Sequence, residues 1–291
     1  MAEGNSLINL GEISKPATVL VEKISDAVGG LFRPYQIRRV SKAEADAEII
    51  QAQAQIEITD LQRRALTRFV GEEAQKQKNM EDITQKAIPE VGESSNPENV
   101  EDDWLTNFFD KCRIVSDDQM QSLWAKVLAG EANAPGTYSK RAVNFLASLD
   151  KTDAELFTSL CSFGWMIGDL VPLIYDVRAP IYNKAGIDFT TLNHLDTIGL
   201  IKFEALGGYR RMKFLKQVVV FYYGTPIIIE FPNEQDNELQ IGNVLLTQIG
   251  KQMALLCGSK PIEGFDDYIV QHWRDGGFVL SSIYPRIRIQ P

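Results

Sequence analysis

Residues 47–69 read AEIIQAQAQIEITDLQRRALTRF, and the reading of this stretch decides the architecture. Apolar or small side chains stand at Ala47, Ile50, Ala54, Ile58, Leu61, Ala65 and Phe69, spaced by 3, 4, 4, 3, 4 and 4 residues. The rhythm repeats every 11 residues and resumes at Met80, Ile83 and Ala87. An 11-residue repeat gives a nearly straight or slightly right-handed seam, not a leucine zipper. Between Tyr35 and Ile88 there is no proline and one glycine, Gly71, so a single helical arm over 35–88 is expected, roughly 80 Å long at 1.5 Å per residue. Such an arm is longer than an ordinary domain is wide and cannot all be wrapped by its own core. Alanine fills many seam positions, so helices can approach closely while little apolar area is gained per turn. Glu72 and Lys76 interrupt the stripe for one repeat. The arm is expected to self-associate as a coiled coil through Ile50, Ala54, Ile58, Leu61, Ala65 and Phe69. The alternative is a pair of shorter helices hinged at Gly71 and folded on the main domain.

Upstream, residues 1–34 carry an amphipathic helix. Ser14 can cap it, Pro16 suits its first turn, and Leu20, Ile24, Val28 and Leu31 recur at helical spacing. A basic cluster follows, with Arg33, Arg38, Arg39 and Lys42 and no acid between Asp26 and Glu44. Leu20, Ile24, Val28, Leu31, Arg38 and Arg39 could together lie on an anionic membrane surface. The favoured expectation is that the stripe docks on the rest of the protein or on another subunit, because the helix carries acids of its own and Gly29-Gly30 weakens its end.

Downstream, PEVGESSNPENVEDD (89–103) has two prolines, a glycine and six acids and reads as an acidic linker. Aromatic residues then become regular, and 104–186 is expected to be a helical domain. Ser116 to Gln119 forms a capping-box pattern before Met120, Leu123, Trp124, Val127 and Leu128, and Thr152 to Glu155 repeats it before Leu156, Leu160 and Phe163. The pairs Asp102-Asp103, Asp117-Asp118 and Asp266-Asp267 each precede an apolar helical pattern and are read as caps, not as metal or acid-base sites.

From Ile187 the pattern changes to helix, strand, turn and strands. A helix over Leu192, Leu195 and Ile198 stops at Gly199 and passes into a strand from Leu200 to Ala205. Runs 218–223 and 226–231 are β-rich, and Thr247 can cap a closing helix. In outline 187–291 resembles a winged helix-turn-helix unit. Its reading helix offers Asp188 and Asp196 and no Lys or Arg, a poor match to base edges and phosphates. The concentrated cations are Arg210, Arg211, Lys213 and Lys216, interleaved with Tyr209 and Phe214, and these are the candidate nucleic-acid contacts. The expected fold class is therefore α+β, mainly α: N-terminal helix, long arm, linker, helical middle domain and winged-helix-like C-terminal unit.

With 30 Lys and Arg against 39 Asp and Glu, the 291-residue chain carries a net charge of −9, which argues against a surface that attracts nucleic acid as a whole. Cys112, Cys161 and Cys257 lie far apart, with no CxxC spacing, suggesting neither a disulfide scaffold nor a zinc site and favouring buried thiols in a reducing cytoplasm. The N-terminus lacks the features of a secretory signal, and no charge-free window of about 18 residues exists to span a bilayer. Walker A, GxSxG and HExxH motifs are missing, and the two histidines, His194 and His272, have no local nucleophile beside them. No catalytic site, metal or cofactor is expected, and a cytoplasmic location is.

The runs SKPATVLVEKISDAVGGLFRPYQIRR (14–39), EEAQKQKNMEDITQKA (72–87), LWAKVLAGEANAPGTYSKRAVNFLASLDKTDAELF (123–157), LDTIGLI (195–201) and LLTQIGKQM (245–253) resemble an uncharacterised bacterial domain-of-unknown-function family over nearly the whole chain. More distantly, the central and C-terminal runs resemble the abortive-infection alpha family. That second resemblance implies a role in bacterial defence against phage and transfers no catalytic residue, since Trp124, Asp153 and Gly199 read as core, cap and turn. The expected protein is a self-assembling homo-oligomer acting through protein contacts. The alternatives are a nucleic-acid-binding regulator and a membrane-surface effector.

Overall fold

The computed structural model describes residues 14–29 and 59–282. Helix and antiparallel sheet mix, with helix predominant. The chain forms two compact units that part between Ser148 and Leu149, a division that differs from the boundaries expected at 103 and 186.

In the first unit, α1 (Lys15–Val28) is capped by Ser14, with Pro16 in its first turn. Its Ala17, Leu20, Val21 and Ile24 are buried, packed against the helix that follows the acidic stretch and against a 3-10 turn within that stretch. Leu20 and Ile24, which the membrane alternative would need exposed, are fully covered by their own unit. Val28 is half-buried, and Leu31, Arg38 and Arg39 lie outside the described residues.

The long arm differs from expectation at one place. Thr59 has extended backbone (φ −60°, ψ 156°), and its side chain and that of Gln62 form a reciprocal capping box, so a helix begins at Asp60 and does not run through from residue 35. From there α2 (Asp60–Ala87) is continuous through Gly71, which removes the hinge considered there. Its last turns bury Asn79, Ile83, Thr84 and Ala87.

Residues 89–103, read as a linker, are folded into the first unit together with Ile88. Ile88, Val91, Pro97 and Val100 are buried. Asn133 bolts the segment down, accepting from Gly92 N at 2.8 Å and donating to Glu90 O at 2.9 Å. The acids that suggested a solvated linker are exposed side chains on a backbone held from beneath. Helix α3 (Asp102–Cys112) follows, with Asp102 and Asp103 in its first turn. In α4 (Asp118–Asn133) the capping residue is Asp117, which accepts from Met120 N. Trp104, Phe108 and Trp124 form a ring cluster, with centroids 5.1 and 5.2 Å apart along the chain of contacts. Helix α5 (Lys140–Leu146) completes the unit. Buried Glu131 holds the preceding turn by accepting from Gly136 N and Tyr138 N at 2.7 and 2.8 Å.

The second unit opens with α6 (Lys151–Cys161), whose cap position is Asp150 and not Thr152. Strands β1 (Gly164–Ile167) and β2 (Asp169–Pro172) follow, then the short α7 (Pro180–Asn183), α8 (Phe189–Thr197) and β3 (Ile201–Phe203). Next come β4 (Tyr209–Phe214), β5 (Gln217–Tyr222), β6 (Thr225–Glu230), β7 (Asn237–Gly242) and β8 (Val244–Leu246). The last elements are α9 (Gln248–Ala254), capped by Thr247 as expected, α10 (Phe265–Asp275) and β9 (Val279–Ser282). The five-stranded sheet has the order β2-β1-β5-β6-β9. Its central hairpin, β5 with β6, turns on Tyr223 and Gly224, both at positive φ (45° and 85°), the geometry that matches the strand twist in two-residue hairpins. That hairpin belongs to the large sheet; β3 pairs with β8 and β4 with β7 in separate two-stranded ladders. Trp165 anchors the core, stacked on Tyr222 at 5.1 Å and edge-on to Trp273 at 5.0 Å.

Gly242 joins the ladders. It has φ 83°, and a Cβ built on it would overlap the Ile174 carbonyl, to which Asn243 N donates at 2.7 Å. Gly242→Ala is therefore expected to cost about 2–4 kcal/mol, combining left-handed strain with a backbone clash. Urea denaturation followed by tryptophan fluorescence should show a lowered midpoint with an unchanged slope.

Candidate functional site

The face of α2 repeats itself after five turns. At 3.6 residues per turn, positions 18 apart are in phase, so Leu61, Ala65, Leu66 and Phe69 stand directly in line with Asn79, Ile83, Thr84 and Ala87. The latter four are buried, with α2 packed on α4. The former four are exposed: Leu61 at 68%, Phe69 at 60% and Leu66 at 37% relative accessibility, with Ala65 open as well. Val70, 42% exposed, widens the stripe. One helix face is thus a core element for its last turns and bare for its first. Capping at Thr59 and the ion pairs Arg63 with Asp60, Arg68 with Glu72 and Lys76 with Glu73, the last two reaching into the stripe where Glu72 and Lys76 interrupt it, support the helix where packing does not. Of the expected oligomer contacts, Leu61, Ala65 and Phe69 lie on this bare stripe, and Ile50, Ala54 and Ile58 lie outside the described residues.

The four candidate nucleic-acid cations are brought near one ladder but not left free as a group. Arg210 pairs with Glu238 at 2.9 Å, Arg211 with Asp169 at 2.6 Å and Lys216 with Glu234 at 2.7 Å. Lys213 sits at φ 67°, where β4 departs from regular register with β7. Asp169 holds two cations, since Lys251 Nζ reaches its other oxygen at 2.5 Å, and Arg211 also donates to Ile167 O. Burial would raise the Asp169 carboxyl, but the hydrogen bonds from Lys251 and Arg211 outweigh it and hold the group below its ordinary value.

Each of the two histidines, without a nucleophile beside it in sequence, meets a partner from a distant segment. His194 Nε2 lies 2.7 Å from Asp153 Oδ1, so Asp153 reaches across to α8 from the first turn of α6. His272 stacks on Tyr175 with centroids 3.8 Å apart, and burial lowers its pKa. It borders a groove of about 410 Å³ that also takes in Arg210, Phe231, Gln240 and Trp273. Neither partnership has a sequence signal, because Asp153 and His194 are 41 residues apart and Tyr175 and His272 are 97 apart. Among the described residues no three His, Cys, Asp or Glu side chains gather as a metal site, and no helix is long and apolar enough to cross a membrane.

A family model matches more than half of the chain. The chain belongs to the family described as protein of unknown function DUF2806, whose model matches residues 63–270. No curated protein and no solved structure matches the chain. The matched span takes in the bare stripe from Arg63 onward and most of the second unit.

Asp169→Asn leaves Arg211 and Lys251 without their shared partner. The group is more than a third exposed, so screening limits the expected loss to about 1 kcal/mol at pH 7. A carboxylate with a depressed folded pKa stabilises above its unfolded pKa, and that contribution is lost as pH falls through the folded value. The gap between wild type and variant in urea denaturation should be present at neutral pH and close as the pH falls below the ordinary aspartate range of about 4 and through the depressed folded value.

Proposed function

We propose that this is a self-assembling protein without a catalytic centre, in which the first turns of α2 make contact with a second copy of the chain. The observation that carries the reading is the five-turn register: the face used as core between α2 and α4 continues, uncovered, through Leu61, Ala65, Leu66, Phe69 and Val70. Fully burying a Leu, Phe or Val side chain is worth on the order of 1.5–3 kcal/mol. Four such residues reach the several kcal/mol that offset the roughly 4–15 kcal/mol cost of association, which an alanine seam alone would not. The charge pattern suits a copy of itself. Arg63, Arg64 and Arg68 precede Glu72 and Glu73 along the helix, so an antiparallel second copy sets cations against carboxylates in an isologous contact.

In this reading the second unit receives the partner or signal, with the groove beside His272 as its concave surface. The setting we assign, defence of a bacterial cell against phage, rests on the distant resemblance to the abortive-infection alpha family. The nucleic-acid alternative is weakened by the carboxylate partners of Arg210, Arg211 and Lys216, and the membrane alternative by the burial of Leu20 and Ile24.

Changing Leu61, Leu66 and Phe69 together to Asp should reduce the native mass in light scattering to that of one chain, with the circular dichroism of the fold retained because all three side chains are exposed in the single chain. An unchanged mass, or a wild type that is already monomeric at tens of micromolar, defeats the reading.

A further inference from the structure

The three cysteines do not share one environment. Cys112 closes α3 and is wholly buried; burial pushes its thiol well above the ordinary range, and it behaves as a small apolar side chain. Cys161 and Cys257 meet each other. Cys161 is the last residue of α6 and is buried, while Cys257 lies just beyond α9 and is half-exposed. Their thiols are within hydrogen-bonding reach, although 96 residues separate them in the chain.

The surroundings are polar on one side. Tyr223 Oη, at the tip of the β5–β6 hairpin, stands 2.6 Å from Ser259 Oγ and 3.5 Å from Cys161 O. As a thiol, Cys257 donates to Ala254 O at 3.3 Å. As a thiolate it can accept from Cys161 and from the Ser259 amide and hydroxyl. Those donors outweigh burial and draw Cys257 down to about 6, whereas the same contact and burial push Cys161 up. One sulfur is thus reachable from solvent and the other is sheltered beside it. That is the division of labour between an attacking and a resolving thiol.

We propose that Cys161 and Cys257 form a redox-modification site, in which a hydroperoxide oxidises Cys257 and Cys161 resolves the product to an intrachain disulfide. In the first step the Cys257 thiolate attacks one peroxide oxygen. An S–O bond forms, the O–O bond breaks, and the departing hydroxide or alkoxide takes a proton from solvent. In the second, Cys161 sulfur attacks the sulfenic sulfur. The S–S bond forms, the S–O bond breaks, and water leaves with the Cys161 proton. Two thiols supply the two electrons that reduce one hydroperoxide. The bond ties the end of α6 to the segment after α9, beside the turn of the central hairpin. A dithiol reductant restores the pair by exchange.

The test uses the full chain with hydrogen peroxide, followed by iodoacetamide alkylation, intact mass measurement and peptide mapping. The wild type should lose the mass of two hydrogens and yield a peptide joining 161 to 257, with Cys112 alkylated only after denaturation. Cys161→Ser should stop at a Cys257 sulfenic acid that dimedone traps, and Cys257→Ser should give neither product. Native Cys257 should react with peroxide at least tenfold faster than Cys112 in the same chain. Three free thiols after treatment, a disulfide that includes Cys112, or a bond between two chains on a non-reducing gel would each overturn the proposal. The wild-type mass decides even if a variant fails to fold.

Discussion

One helix face with two fates is the constraint on which the rest depends. Helix α2 presents the same side chain positions to its surroundings every five turns. In its last turns those positions are occupied by Asn79, Ile83, Thr84 and Ala87 and closed over by α4; in its first turns they are Leu61, Ala65, Leu66 and Phe69 and nothing in the described chain closes over them. The buried end is the less apolar of the two, with Asn79 donating to Arg113 O at 2.8 Å and Thr84 to Met80 O at 2.8 Å. The more hydrophobic end is the bare one. Apolar surface that could have joined the core is instead carried outward, and the contact surface we propose rests on this inversion.

The second unit shows the opposite economy, in charge. Arg210, Arg211 and Lys216 look like a basic patch when read along the chain, and each is met by an acid from another element: Glu238 in β7, Asp169 at the start of β2, Glu234 in the loop before β7. These pairs tie the β4–β7 ladder to its neighbours. They also remove the field that phosphate would need, since a cation already hydrogen-bonded to a carboxylate has less to offer a nucleic-acid backbone. The cysteines follow a similar logic. Cys161 and Cys257 acquire opposite chemical characters from one shared contact, while Cys112, without such a partner among the described residues, stays an apolar core atom.

Much of the local structure was legible in the residues. Ser14, Thr247 and Asp117 cap their helices as read, because a cap is settled by a side chain and backbone groups two or three residues away, whereas Asp102-Asp103 and Asp266-Asp267 lie in the first turn after Glu101 and Gly264. The strand runs around 218–231 were equally plain, though the turn falls on Tyr223-Gly224. The break at Thr59 was missed although Thr59 and Gln62 spell a capping box, since the apolar rhythm passes through the site undisturbed. The stretch 89–103 was misread because its acids and prolines describe its outer side; the anchors, Asn133 on its backbone and the burial of Val91, Pro97 and Val100, come from elsewhere in the fold.

What the sequence by itself determined acts over a turn or two of chain: most helices, the strand runs after 200, several caps, the 11-residue rhythm, and membership of Leu61, Ala65 and Phe69 in one apolar stripe, though not the strands Gly164–Ile167 and Asp169–Pro172 within the stretch read as helical. What only the tertiary structure decided was which parts of those patterns meet something. Whether a stripe is core or surface, whether a cation is free or paired, and whether two thiols 96 residues apart touch depend on how distant segments pack. Burial and electrostatics act through space and not along the chain, so no local pattern could carry that information.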